Sequence, residues 1–98
     1  MKTLRENVIS TIRQQSDQIA KDYHVRKIGV FGSVARDEHN KESDVDILVE
    51  FSKPVGFFKF IDLEDYLSNI LKRKVDLVTN KSLKPAIKDQ ILKELIYV

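Results

Sequence analysis

The alternation of apolar and acidic residues in the middle of the chain is the feature that most restricts its fold. Val45, Ile47 and Val49 alternate with Asp44 and Asp46. Successive side chains of a β-strand point to opposite faces, so this pattern predicts a strand with one buried, apolar face. The two carboxylates then project together from the other face, away from the core.

Two carboxylates this close together need a compensating charge. Their repulsion raises the pKa of each group unless a cation lies between them, and oxygen ligands of this kind are typical of Mg²⁺ sites. The alternative is an exposed strand face that carries two acids without a ligand. Because aspartate is uncommon in strands, the pattern favours a magnesium site at Asp44 and Asp46.

A glycine and a serine follow the strand candidate Ile28 to Phe31 and indicate a turn into a helix. Gly32 lets the backbone approach an anion closely, and the Ser33 hydroxyl can cap the next turn. Free N–H groups at such a turn attract negative charge. Alone, the pair favours an ordinary strand-to-helix turn with a serine cap. The downstream carboxylates reverse this preference, and together the residues predict a site for the phosphates of a nucleoside triphosphate.

A third acidic residue has the same alternation. Val75 and Leu77 point to one face of a predicted strand, so Asp76 faces the other. A neighbouring strand can bring it beside Asp44 and Asp46. The alternative is a solvated aspartate balanced by the basic residues just before it. Three acids on one small sheet favour the common site.

Length and periodicity predict a single domain over residues 1–98, of the α/β (α+β) class. We expect a small mixed three-stranded sheet packed with about four helices in the order αβαβαβα. The predicted segments are a helix at 4–23, a strand at 26–31, a short helix at 33–37, a strand at 45–51, a helix from Pro54 to 71, a strand at 74–79 and a last helix capped by Ser82.

Several apolar residues are assigned to the core by helical spacing. Phe57 and Phe60 fall on the buried stripe of their helix, which favours packing over base stacking, whereas Phe58 does not. His24 and His39 have no partner at metal-ligand spacing and are left out of the site. The last helix is predicted to bury Leu83, Ile87, Ile91 and Leu95.

Composition excludes some functions and leaves others open. Without cysteine, the chain has no disulfide, thiolate metal site or cysteine nucleophile. No leader and no apolar run long enough to cross a bilayer is visible, so we expect a soluble, cytoplasmic protein without a membrane partner. A net charge of +2 neither demands nor excludes nucleic acid.

The motifs resemble the nucleotidyltransferase superfamily that includes DNA polymerase beta, and most closely its minimal nucleotidyltransferases. That family carries Gly-Ser, a short helix often ending in Arg or Gly, an Asp-x-Asp strand and a later strand carboxylate. The resemblance extends from about Ile28 into the last helix, including its Ile-Leu-Lys-Glu ending. We expect no extra C-terminal domain of the kind with which larger members hold the acceptor. The matching residues are Gly32, Ser33, Arg36, Asp44, Asp46 and Asp76.

The resemblance implies a nucleotidyltransferase fold and transfer of AMP from ATP to a hydroxyl. Asp44, Asp46 and Asp76 would be the catalytic, metal-binding carboxylates, with two Mg²⁺ ions expected. Asp76 would help to place the second ion and lower the pKa of the acceptor hydroxyl. Gly32 and Ser33 would hold the phosphates; Arg36 would either reach a phosphate oxygen or lie on the helix surface.

The resemblance also implies a partner. Minimal nucleotidyltransferases are commonly antitoxins of HEPN-domain toxins, and some adenylylate a tyrosine of the toxin, as in a type VII-like toxin–antitoxin system. Two alternatives remain open from the residues alone. In the first, the chain is a binding module that neutralises its partner by contact. In the second, it is an enzyme whose acceptor is a small molecule such as an aminoglycoside or an RNA 3′ end.

Overall fold

A four-stranded mixed sheet and five α-helices make up the computed structural model, which describes residues 2–98. A 3₁₀ turn, Asn80–Ser82, follows the third strand. None of the helices over residues 2–98 is both long and apolar enough to cross a membrane. The elements are α1 Leu4–Gln14, α2 Ser16–Tyr23, β1 Val25–Phe31, α3 Gly32–Ala35, β2 Val45–Phe51, α4 Phe57–Leu71, β3 Val75–Thr79, α5 Pro85–Glu94 and β4 Ile96–Tyr97.

The strand order is β3-β2-β1-β4, which places the acidic strand β2 inside the sheet. β2 runs antiparallel to β1 and parallel to β3. In these ladders Asp46 is paired with Phe31 on one side and with Asp76 on the other. The segment that follows Phe31 therefore begins beside the acids.

One face of the sheet is covered by α1, α2 and α4. The buried side chains of β2 on this face are Val45, Ile47 and Val49, as the alternation predicts. Burial of an aliphatic side chain of this kind contributes about 1.5–3 kcal/mol, so this face fixes the position of β2. The helical residues buried against it are Val8, Ile12, Ile19, Leu63 and Leu67.

The prediction of one helix from Leu4 to Tyr23 is wrong, because the segment forms two helices separated at Gln15. Gln15 has φ −105° and ψ 11°, outside the helical region. A polar residue stands here between the two buried parts of the stripe, and its Oε1 accepts a hydrogen bond from the Tyr66 hydroxyl at 3.2 Å. The predicted stripe itself is buried at Val8, Ile12 and Ile19.

The sheet has four strands instead of the predicted three. β4 pairs with Gly29 and Val30 of β1 in a two-residue ladder, which is too short to show an alternating pattern in the sequence. Ser82 does not cap the last helix as predicted. It exchanges hydrogen bonds with Thr79 in the 3₁₀ turn, and α5 begins at Pro85 after Lys84.

Two predictions of burial are also wrong. Phe57 is 71% exposed, because the first turn of α4 extends past the core and Phe60 is the first aromatic residue of the helix to pack on it. Phe58, which was not assigned to the buried stripe, is 82% exposed. α5 has no buried residue; Ile87 is 48% exposed. The helix lies against α3 at the rim of the sheet, instead of joining the core layer.

Candidate active site

The three acids lie at one end of neighbouring strands. Asp46 and Asp76 are paired residues of β2 and β3, and adjacent strands run about 4.8 Å apart. Asp44 immediately precedes β2. Because Val45 and Val75 are buried in the core, the carboxylates project from the opposite face of the sheet. We call this side the acidic face.

Asp46 is the most perturbed of these groups. Partial burial raises its pKa to about 6, and the negative charges of Asp76 and Asp44 act in the same direction. Nearby Arg36 partly offsets this effect. The ionised carboxylate is therefore unfavourable in the folded protein unless a cation compensates it.

Carboxylate oxygens are hard ligands, so the donor set of Asp44, Asp46 and Asp76 fits Mg²⁺ chemically. In the part of the chain that the structure describes, no three acidic, histidine or cysteine side chains are gathered tightly enough to enclose a metal. The register brings the strands together, and the rotatable side chains would have to converge on the ion. The metal role of these residues remains a prediction.

Gly32 lies directly beside Asp46. Its φ of +76° is in the left-handed region, which favours glycine. A Cβ at this position would overlap Asp46 Oδ2 and come within 3.0 Å of Asp46 Cγ. A glycine is thus required both by the backbone conformation and by the closeness of the Gly-Ser turn to the carboxylate.

Ser33 occupies a different place from the predicted cap. Phe31 is the residue that caps α3, without a side-chain hydrogen bond. The Ser33 carbonyl accepts a hydrogen bond from the Glu38 N–H at 2.8 Å, which closes the turn after α3. Ser33 is half-buried and lies in the turn that begins beside Asp46.

Arg36 binds a carboxylate that the sequence did not assign to the site. Its Nη1 donates to Glu94 Oε2 at 2.9 Å and to Glu94 Oε1 at 3.1 Å, and its Nε donates to Glu38 at 3.1 Å. The hydrogen bonds with Glu94 and then Glu38 raise the pKa of Arg36 above its ordinary value. Glu94 also accepts the Gly32 N–H at 3.0 Å. Its position in the Ile-Leu-Lys-Glu ending was the one available sequence signal.

Arg73 holds the loop that leads into Asp44. Its Nη2 donates to the backbone carbonyls of Asn40 and Lys41 at 2.9 and 3.2 Å. The next residue, Lys74, has its Nζ 4.0 Å from Asp44 Oδ2. The basic residues before β3 therefore help to position the loop and the first acid, a role that composition alone does not reveal.

Sequence comparison relates the whole chain to known proteins. Residues 10–98 match the family described as the nucleotidyltransferase domain. The protein adenylyltransferase MntA of Thermococcus cleftensis is 44% identical over 93 residues, covering 95% of this chain and 94% of that protein. A protein of Methanocaldococcus jannaschii, provisionally named a protein adenylyltransferase, is 46% identical over the full length of both chains.

Solved structures share the fold. One described provisionally as a minimal nucleotidyltransferase has a TM-score of 0.69 and 33% identity, covering 94% of this chain and 86% of its own. A chain from the complex of a tri-AMPylated Shewanella oneidensis HEPN toxin with an MNT antitoxin has a TM-score of 0.65 at 22% identity, covering 97% of this chain and 71% of its own. With the family match over most of its length and the Gly-Ser turn against paired acids, this chain belongs to the nucleotidyltransferase domain family.

Proposed function

We propose that this chain transfers AMP from ATP to a protein hydroxyl in a Mg²⁺-dependent reaction. The observation that carries the proposal is the pairing of Asp46 with Asp76 directly against the glycine of the Gly-Ser turn. A triphosphate and its metal need an anion-accepting turn and oxygen ligands side by side. The naming of full-length relatives as protein adenylyltransferases supports this choice of reaction.

Asp44, Asp46 and Asp76 would hold the magnesium, two ions being expected, which supplies positive charge for the phosphates of the transition state. The Gly32 N–H, the Ser33 hydroxyl and the Arg36 guanidinium supply donors for the phosphate oxygens. Transfer breaks the bond between the α-phosphorus and its bridging oxygen and forms a bond to the acceptor oxygen, releasing pyrophosphate and the hydroxyl proton.

The exposed position of Asp76 supports a role on the acceptor side of the site. Asp46 lies between Asp76 and Gly32, so it borders the nucleotide, whereas Asp76 lies one strand farther from the Gly-Ser turn. Its carboxylate can orient the attacking hydroxyl and accept its proton. Positioning of this kind, with charge stabilisation, accounts for most of the acceleration in phosphoryl chemistry.

For the acceptor we propose a tyrosine of a HEPN-domain toxin, with this chain as the antitoxin. The resemblance of the motifs to minimal nucleotidyltransferases supports this partner. This chain also shares its fold with a chain from a complex of an AMPylated HEPN toxin and an MNT antitoxin. The phenolic hydroxyl is a suitable nucleophile because its pKa of about 10 is within reach of metal or carboxylate assistance.

The test is AMP transfer measured by intact mass. The chain is incubated with the HEPN protein encoded beside it, ATP and Mg²⁺, and peptide mapping then locates the modified residue. We expect the partner to gain one or more AMP groups on tyrosine, and expect no gain with EDTA or with the Asp44→Asn/Asp46→Asn variant. An unmodified partner under all conditions would refute the proposal.

Neutralisation by contact alone is the second candidate, favoured by the exposure of neighbouring Phe57 and Phe58 at the start of α4. Their rings are 5.8 Å apart and form an apolar surface suited to a protein partner. The same double Asn variant separates the candidates. A variant that neutralises the toxin as well as the unchanged chain would support contact; one that binds the toxin without neutralising it would support catalysis.

A further inference from the structure

The last residue of α5 reaches into the proposed phosphate site. Glu94 Oε1 accepts hydrogen bonds from the Gly32 N–H at 3.0 Å and from Arg36 Nη1 at 3.1 Å, while Oε2 accepts from Arg36 Nη1 at 2.9 Å. The Glu94 side chain is only 17% exposed. Glu94 lies near the end of the sequence, and its carboxylate is held by the Gly32 N–H and the Arg36 guanidinium.

A phosphate oxygen can accept hydrogen bonds from the same two donors. Backbone N–H groups and arginine forks bind carboxylates and phosphates through the same charge-assisted hydrogen bonds. The Gly32 N–H has a single hydrogen and is directed at Glu94. A phosphate oxygen cannot take that hydrogen while the carboxylate holds it, so the two anions exclude each other.

Charge makes joint occupancy still less favourable. Glu94 accepts a hydrogen bond from the N–H of Gly32, and Gly32 lies directly beside Asp46, so the two negative charges are close together. A triphosphate would add several negative charges to a site that contains Asp44, Asp46 and Asp76. Glu94 would then be a fourth carboxylate in the site, held by the donors that the phosphates need.

The chain beyond Glu94 limits how it can leave. Tyr97 pairs with Gly29 in the β1–β4 ladder, and the Val98 N–H donates to the Ile28 carbonyl at 2.9 Å. Leu95 packs directly over Gly29. The backbone is therefore fixed from Ile96, two residues after Glu94, and rotation of the Glu94 side chain is the available movement.

We propose that Glu94 is a built-in competitor for the triphosphate: it occupies the Gly32 and Arg36 donors in the nucleotide-free protein and is displaced when ATP binds. The inference rests on the proposed function of the Gly-Ser turn as the nucleotide site. Glu94 would thus lower the affinity for ATP, because its carboxylate occupies the donors that the phosphates need.

The test compares Glu94→Gln with the matched control Glu38→Gln. Both glutamates bind Arg36, but Glu38 is exposed and does not contact Gly32. Calorimetry with ATP and Mg²⁺ should give a Kd about tenfold lower for Glu94→Gln, a change of about 1.4 kcal/mol, because the triphosphate no longer has to displace a charge-assisted hydrogen bond. Glu38→Gln should change Kd by less than about twofold, as expected of an exposed pair.

Inorganic tripolyphosphate and adenosine serve as separate probes. Glu94→Gln should also tighten binding of tripolyphosphate and leave adenosine unchanged, since the competition concerns phosphate oxygens alone. Circular dichroism and thermal melting check that the fold is retained. Glu94→Ala is a second variant, which also lacks the amide oxygen that glutamine keeps as an acceptor.

Weaker or unchanged ATP binding by both Glu94 variants would overturn the inference, because it would make Glu94 a support for Arg36 or a bystander. That result leaves the proposed function intact as long as the unchanged chain binds ATP. If neither the unchanged chain nor any variant binds ATP, the nucleotide site and the inference both fail.

Discussion

Replacing Asp46 with asparagine should stabilise the fold at neutral pH in the absence of metal. The pKa of Asp46 is raised from 3.8 to about 6, first by burial and then by Asp76 and Asp44. At about 1.4 kcal/mol per pKa unit this corresponds to about 3 kcal/mol. Because solvent partly screens the half-buried carboxylate, we expect about 1–2 kcal/mol.

The pH dependence has a definite sign. A pKa that is higher in the folded than in the unfolded chain gives stability that is fully present below about pH 4 and is lost as the pH rises to about 6. The unchanged chain should lose about 1–2 kcal/mol of unfolding free energy over this range relative to Asp46→Asn. The difference should then stay constant toward pH 7.

Urea denaturation at pH 4, 5, 6 and 7 in EDTA measures this effect. Asp65→Asn is the matched control, an exposed aspartate on α4, which covers the other face of the sheet. Added Mg²⁺ should recover stability in the unchanged chain and much less in Asp46→Asn. Two results would refute the electrostatic reasoning. One is an equal pH dependence of stability for the unchanged chain and Asp46→Asn, and the other is an Asp46→Asn variant that is less stable than the unchanged chain at pH 7.

Two further predictions concern the same site. Gly32→Ala should lower the unfolding free energy by at least about 1–2 kcal/mol, the strain of a left-handed alanine. It should also weaken ATP binding, because the added Cβ displaces Asp46. Denaturation measures the first effect and calorimetry the second, and unaltered ATP binding would contradict the contact with Asp46. Asp76→Asn should leave ATP affinity within about tenfold but slow single-turnover AMP transfer on the order of a hundredfold, since its role lies in the transition state. Near-normal transfer would make Asp76 a solvated strand residue.

The sequence predicted β2 to the residue because its pattern has one structural solution. A shift of one position would bury Asp46 and expose Ile47, which burial energies forbid. The same alternation placed Asp76 on the face of Asp46, and the parallel ladder makes them neighbours. Local rules of this kind also predicted the glycine turn, since a strand that meets Gly-Ser must change direction there.

The contribution of the C-terminal segment could not be predicted in the same way. Helical spacing assigned Leu95 to the last helix, whereas the helix ends at Glu94 and the chain turns back to pair with β1. That pairing joins residues more than sixty positions apart and depends on the space that Gly29 leaves for Leu95. The exposure of Phe57 likewise depends on where α4 begins relative to the core, which periodicity does not specify.

The charge on the acidic face is unfavourable for the stability of the folded chain. Ile47 and Val49 hold β2 in place through the other face, so nothing in the core requires Asp46 to be charged. A neutral residue there would make the folded chain more stable, yet three acids stand together at the strand ends. Unpaired, partly buried charge is costly unless a ligand compensates it. The location of this cost, beside the Gly-Ser turn where a side chain would collide with Asp46, supports the proposal that ligands bind on this face.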